Sequence, residues 1–89
     1  MIERELLIQN RLGLHARATA KLVQTVSVFR CAVTIAAKGR EVNAKSIMGV
    51  MLLAAGNGST VVMRTDGEDE SAAMDAIAAL FDRRFDEDA

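Results

Sequence analysis

At 89 residues, with 51% hydrophobic content and a single cysteine, the chain is long enough to bury a two-layer core without disulfides or metals, and it reads as one domain over residues 1–89. No apolar run reaches the roughly 18 residues of a membrane span, Met1-Ile2-Glu3-Arg4-Glu5 does not read as a signal peptide, and lone Cys31 excludes a disulfide framework or a metal quartet; the cytoplasm is the expected compartment. Net charge is only −1, but residues 1–65 hold nine Lys or Arg against three acids, and residues 66–89 hold nine acids against two bases.

In chain order, Ile2 to Ile8 puts Ile2, Leu6 and Ile8 on one side and Glu3, Glu5 and Leu7 on the other, the pattern of a half-buried strand. Asn10 to Gly13 breaks it. From Ala16 the period becomes helical: Ala18, Leu22, Val26 and Phe29 share one face, Arg17, Lys21 and Gln24 another. Cys31 to Ala36 alternates again, Lys38-Gly39 turns, and Arg40 to Asn43 returns as a short strand. Ser46 caps a second helix running to about Ala54, which Gly56 ends. Thr60 to Thr65 is β-branched and strand-like. The last helix runs from about Glu68 to Phe81, with Glu68, Asp69 and Glu70 at its positive end, Arg83 and Arg84 near its negative end, and a buried stripe of Ala73, Met74, Ile77, Leu80 and Phe81 that Phe85 extends. The tail Asp86-Glu87-Asp88-Ala89 is expected to fray. The order β-α-β-β-α-β-α predicts an α+β two-layer sandwich with all helices on one face of an open sheet.

The one histidine, His15, stands in Gly13-Leu14-His15-Ala16-Arg17, at a strand-to-helix junction. Imidazole gains and loses groups near neutral pH. A helix start offers free N–H groups and the positive end of the macrodipole, which suit an anion such as phosphate. Gly13 permits a backbone conformation closed to other residues, and Arg17 adds a charged fork for phosphate oxygens. The motif therefore predicts a histidine that carries a phosphoryl group, its neutral imidazole acting as nucleophile because a helix N-terminus disfavours the imidazolium. No second histidine, no cysteine beside a base and no carboxylate pair near His15 suggests a stand-alone enzyme, and no metal or cofactor is expected.

Two further features point to partners. With no Trp, no Tyr and three Phe, platforms for stacking bases are scarce. The basic residues Arg11, Arg17, Lys21 and Lys45 are therefore expected to form one patch for an acidic protein, not for nucleic acid. In Lys45-Ser46-Ile47-Met48-Gly49-Val50-Met51-Leu52-Leu53, nearly every position after Ser46 is apolar, so some of Ile47, Met48 and Met51 should stay exposed as a docking surface. A core helix packed on two sides is the other reading of that run. Ser46 is a cap where an added phosphate would be tolerated while planting negative charge in the patch.

Gly13-Leu14-His15-Ala16-Arg17 followed by Lys45-Ser46-Ile47-Met48-Gly49 resembles the histidine-containing phosphocarrier (HPr) family of the bacterial phosphoenolpyruvate-dependent phosphotransferase system. The likeness runs from Glu3 to about Phe85 and includes Gly67 to Glu70. It implies an open-faced β-sandwich, a four-stranded antiparallel sheet in the order 1-4-2-3 with three helices on one side. It implies that His15 accepts a phosphoryl group on Nδ1 from phospho-enzyme I and passes it to an enzyme II A-type domain. Ala16, Arg17 and Ala18 would then surround the phosphoryl oxygens, and HPr kinase/phosphorylase would modify Ser46. Ala20, Lys21, Gln24, Lys45, Ile47, Met48, Gly49 and Met51 would dock partners, the protein acting as a monomer outside the membrane.

The chain departs from the pattern at Ala18, where many members carry proline, whose absence removes rigidity but no donor or charge. Its acidic end looks like the nitrogen-related branch, and its Ser46 motif like the carbon-type proteins. A regulatory interaction module of the same fold, acting without histidine phosphotransfer, is the alternative; the presence of His15 argues against it.

Overall fold

The computed structural model describes residues 1–87. Strands β1 (Ile2–Leu7), β2 (Ala32–Ala37), β3 (Arg40–Asn43) and β4 (Thr60–Asp66) form one antiparallel sheet in the order β1-β4-β2-β3. Helices α1 (Ala16–Ser27), α2 (Ile47–Leu52) and α3 (Glu70–Asp82) complete the β-α-β-β-α-β-α order, followed by a short turn at Arg84–Asp86. This is the architecture the sequence predicted.

The alternation in the strands explains why one face is covered. Leu6, Val33, Ile35, Val61 and Met63 point into a core shared with Ala18, Leu22 and Val26 of α1, Val50 of α2 and Ala73, Ile77 and Leu80 of α3. The opposite face is mixed, with Glu3, Glu5, Glu41 and Arg64 standing among Leu7, Ala36 and Val62. There the register sets Glu3 beside Arg64, and Arg64 binds the carboxylate of Glu3 on neighbouring β1 and, reaching over β2, that of Glu41 on β3. These exposed pairs contribute little to stability.

Several boundaries differ from the sequence reading, each for a local reason. Ile8 lies past the end of β1 yet is fully buried, and its backbone bonds Ser59 and Gly58. Helix α2 ends at Leu52, short of Ala54, and Ala54 rather than Gly56 takes the left-handed conformation there, with φ 48°. Helix α3 starts at Glu70, and the Asp69 carboxylate before it makes no cap bond, accepting instead from the N–H of Arg30 at 2.8 Å and of Cys31 at 2.9 Å. Those two bonds tie the chain entering β2 to the start of α3.

The largest difference is at the tail, which does not fray at Asp86 or Glu87. Arg84, Phe85 and Asp86 have φ of 55°, 56° and 61°, three successive left-handed residues without a glycine. Such residues cost roughly 1–2 kcal/mol each and persist only where surroundings hold them. Phe85 supplies part of the hold: its ring is fully buried, 4.8 Å from that of Phe81. Burying a phenylalanine is worth about 1.5–3 kcal/mol. Asp86 binds Arg83 at 2.8 Å and Lys21 of α1 at 3.2 Å, which brings the chain to the His15 end of the molecule. Asp88 and Ala89 lie outside the described residues.

Candidate functional site

The loop between β1 and α1 is shaped by Gly13. Its φ is +66°, and a Cβ built there would stand 2.6 Å from the Ala55 carbonyl oxygen and the Gly56 Cα. Only glycine fits. The Gly13 carbonyl accepts from His15 N–H at 2.9 Å and from the Asn10 side-chain amide at 2.7 Å. Asn10 is fully buried, so it is a fixed strut under the loop.

His15 is the N-cap of α1, with extended backbone (φ −75°, ψ −179°). Its ring Nδ1 accepts from the Arg17 backbone N–H at 3.3 Å, the role usually taken by a Ser or Asp oxygen. In that bond Nδ1 offers its lone pair to the N–H. The N–H groups of Ala16 and Ala18 have no backbone partner among the described residues, and the first turn of α1 contains no acid. Arg17 is exposed, with its guanidinium in no hydrogen bond among the described residues. The Nδ1 lone pair, the unpartnered N–H groups of Ala16 and Ala18 and the exposed Arg17 side chain therefore belong to one helix start.

The other ring nitrogen has a partner that sequence reading missed. His15 Nε2 lies 2.6 Å from Glu87 Oε2, and Glu87 Oε1 accepts from Asn10 Nδ2 at 3.0 Å. The tail was expected to be frayed, and no local signal marked Glu87, because 72 residues separate it from His15. The Asn10 amide, followed by His15 and Arg17, holds the Glu87 carboxyl below the usual carboxylate range, while partial burial opposes them.

The expected basic patch divides. Lys21 is engaged with Asp86. Lys45 donates to the Phe29 carbonyl at 2.8 Å, just past the C-terminal end of α1. That helix is twelve residues long, about 18 Å, so Lys45 sits far from His15 and does not share a patch with Arg17. Ala18 is buried, Ala20 is half-buried, and Ala16 and Gln24 are exposed.

Helix α2 resolves the other open question. Ser46 is its N-cap, Oγ accepting from Gly49 N–H at 3.1 Å. Only Val50 is buried within the helix, while Ile47, Met48 (79%), Met51 and Leu52 (63%) are exposed, so this is not a helix packed on two sides. Leu52 was overlooked although Met48, Met51 and Leu52 follow the i, i+3, i+4 spacing of one face. Leu12, in the loop before His15, is also exposed.

The family model described as "PTS HPr component phosphorylation site" matches residues 2–83. The chain belongs to the HPr family. It is 64% identical over 88 residues to the phosphocarrier protein HPr of Xylella fastidiosa (strain 9a5c), covering 99% of both chains. The crystal structure of HPr-C-His from Thermoanaerobacter tengcongensis superposes with a TM-score of 0.96 at 39% identity, covering all of both chains. A structure described as an HPr dimer from the same organism gives 0.79 at 40% identity, over 98% of this chain and all of the other. Membership of this family makes the protein a phosphocarrier of the phosphotransferase system. No helix among the described residues is long and apolar enough to cross a membrane.

Proposed function

We propose that His15 is the phosphoryl acceptor of this carrier, taking the group on Nδ1 from phosphorylated enzyme I and passing it to an enzyme II A-type domain. The observation that carries the reading is the capping bond: the Nδ1 lone pair points at the open start of α1, 3.3 Å from Arg17 N–H. As Nδ1 bonds to phosphorus, that N–H is released to a phosphoryl oxygen. The free N–H groups of Ala16 and Ala18 and the Arg17 guanidinium supply further donors, offsetting charge in an in-line transfer. The chain acts as one domain, a monomer in the cytoplasm, with no turnover of its own, because the partner completes the transition-state site.

Ile47, Met48 and Met51, with Ala20, Lys21, Gln24, Lys45 and Gly49 around them, form the docking surface in this reading; Leu52 joins the exposed apolar set. Ser46 is the regulatory acceptor for HPr kinase/phosphorylase, since a helix N-cap tolerates negative charge. Incubation with phosphoenolpyruvate and enzyme I should add one acid-labile phosphate by intact mass, and His15→Ala should abolish it. Equal labelling of the alanine variant refutes the assignment.

A further inference from the structure

The chain leading to His15 is cast against a second turn, Gly56–Ser59, which lies between α2 and β4. At one end Gly58 N–H donates to the Ile8 carbonyl and Ile8 N–H to the Ser59 carbonyl, both at 2.9 Å. At the other end Leu14 N–H donates to the Ala55 carbonyl at 2.9 Å, and Gly13 stands too close to Ala55 and Gly56 for any Cβ. Between these anchors the second turn sends a side chain across. Asn57 Nδ2 donates to the Gln9 carbonyl at 3.1 Å and to the Asn10 carbonyl at 3.0 Å. An amide nitrogen carries two hydrogens, so both are used. The Asn10 carbonyl also accepts Gly13 N–H at 3.2 Å, the bond that closes the turn before His15. Gly58, with φ +85°, lets the second turn bend tightly after Asn57.

We propose that Asn57 is a positioning residue for phosphotransfer: its amide fixes the Gln9 and Asn10 carbonyls and, through the Asn10–Gly13 turn, sets where His15 stands. This rests on the reading that His15 carries the phosphoryl group. The relay is short. Asn57 holds the Asn10 carbonyl, that carbonyl holds Gly13 N–H, and the Gly13 carbonyl holds His15 N–H. Each link is a backbone group, so a shift in one turns the peptide planes that follow it. Attack at phosphorus needs Nδ1 in line with the breaking bond, and a misplacement of about 1 Å can cost on the order of 100-fold in rate. The residue type matters as much as the place. A carboxylate at position 57 would set charged oxygens against two carbonyls, and a hydroxyl could serve only one of them. Asn57 is itself exposed, so its loss leaves the core packing in place.

The test uses the full chain as wild type, Asn57→Asp, Asn57→Ala and the control Thr65→Val. The control loses the Thr65 Oγ1 bond to the Glu70 carbonyl, at the opposite end of β4 from the second turn. Rapid quench follows transfer from phosphorylated enzyme I against carrier concentration, and amide hydrogen exchange at Gly13 and His15 is read in the unphosphorylated protein. Asn57→Asp keeps the shape but donates nothing; it should cut the saturating rate roughly tenfold and move the half-saturating concentration by less than about twofold. Asn57→Ala, whose freed carbonyls water can reach, should lose less, and it carries the same comparison if the aspartate variant does not fold. Exchange at Gly13 should quicken in both. Thr65→Val should keep the wild-type rate even where its melting temperature falls. A wild-type saturating rate in Asn57→Asp and Asn57→Ala overturns the proposal. A raised half-saturating concentration at an unchanged saturating rate also overturns it, making Asn57 a partner contact, as does an equal loss in Thr65→Val. The exchange arm needs no phosphotransfer. A wild type that takes no phosphate while Gly13 exchange still quickens in the variants overturns the reading of His15, and with it the role in transfer, and leaves the brace between the two turns standing.

Discussion

Asn10 and Gly13 are joined by a buried hydrogen bond of 2.7 Å from the Asn10 amide to the Gly13 carbonyl, the same carbonyl that accepts His15 N–H. The amide's second donation, to Glu87, makes Asn10 the meeting point of the loop before α1 and the tail after α3. Its own Oδ1 is buried without a hydrogen-bond partner among the described residues.

Asn10→Ala should therefore destabilise the fold, by about 1–3 kcal/mol for orphaned buried groups. For a domain of this size each kcal/mol lowers the melting temperature by about 4–8 °C. A melting temperature equal to wild type would show that the loop holds without the strut.

Arg17→Ala should slow phosphoryl transfer about 10- to 100-fold, the worth of a lost charge-assisted hydrogen bond of about 1.5–3 kcal/mol. Stability should change by no more than about 0.5 kcal/mol, because the side chain is exposed. Stopped transfer assays beside thermal melts separate the two effects. A large loss of stability with normal transfer would make Arg17 structural.

Met48→Asp should weaken binding to enzyme I while the fold persists, since this is the most exposed residue of α2. Leu52→Asp tests whether the docking surface extends to the end of that helix. Calorimetry with enzyme I reads both. Undiminished affinity in either variant removes that residue from the interface.

Ser46→Asp should raise the apparent Michaelis constant for enzyme I and leave the maximal rate near wild type. Aspartate caps a helix as well as serine does, so the Gly49 bond is kept and stability moves by no more than about 0.5 kcal/mol. The added charge must be desolvated beside the apolar patch on docking. Kinetics identical to wild type would leave Ser46 as a helix cap alone.

Acid stability should depend on Asp69. The Arg30 N–H, then Cys31, holds its carboxyl below the usual range. A folded-state value depressed in this way contributes stability above the unfolded carboxylate value near about 4, and the contribution disappears as pH falls through the lower folded value. Asp69→Asn should be less stable than wild type at neutral pH, with the gap closing on acidification. Urea melts across that range check it; a gap independent of pH assigns the loss to packing.

What was legible in the sequence was whatever depends on neighbours a few residues apart. The alternation in Ile2 to Ile8, the helical period from Ala16, the Ser46 cap and the excess of apolar residues on a short helix are local patterns, because side-chain direction repeats every two or every 3.6 residues. The junction motif at Gly13 to Arg17 was legible for the same reason: its φ, its cap and its free donors are properties of five adjacent residues. The length of α2, the division of the basic residues and the fate of the tail were decided by contacts between distant segments. Lys45 answers to a carbonyl at the far end of α1, and Asp69 to amides at the entry to β2. Glu87 reads as one more acid in an acidic terminus until the burial of Phe85 swings it against His15, and no period along the chain encodes a contact made by closing a loop of 72 residues.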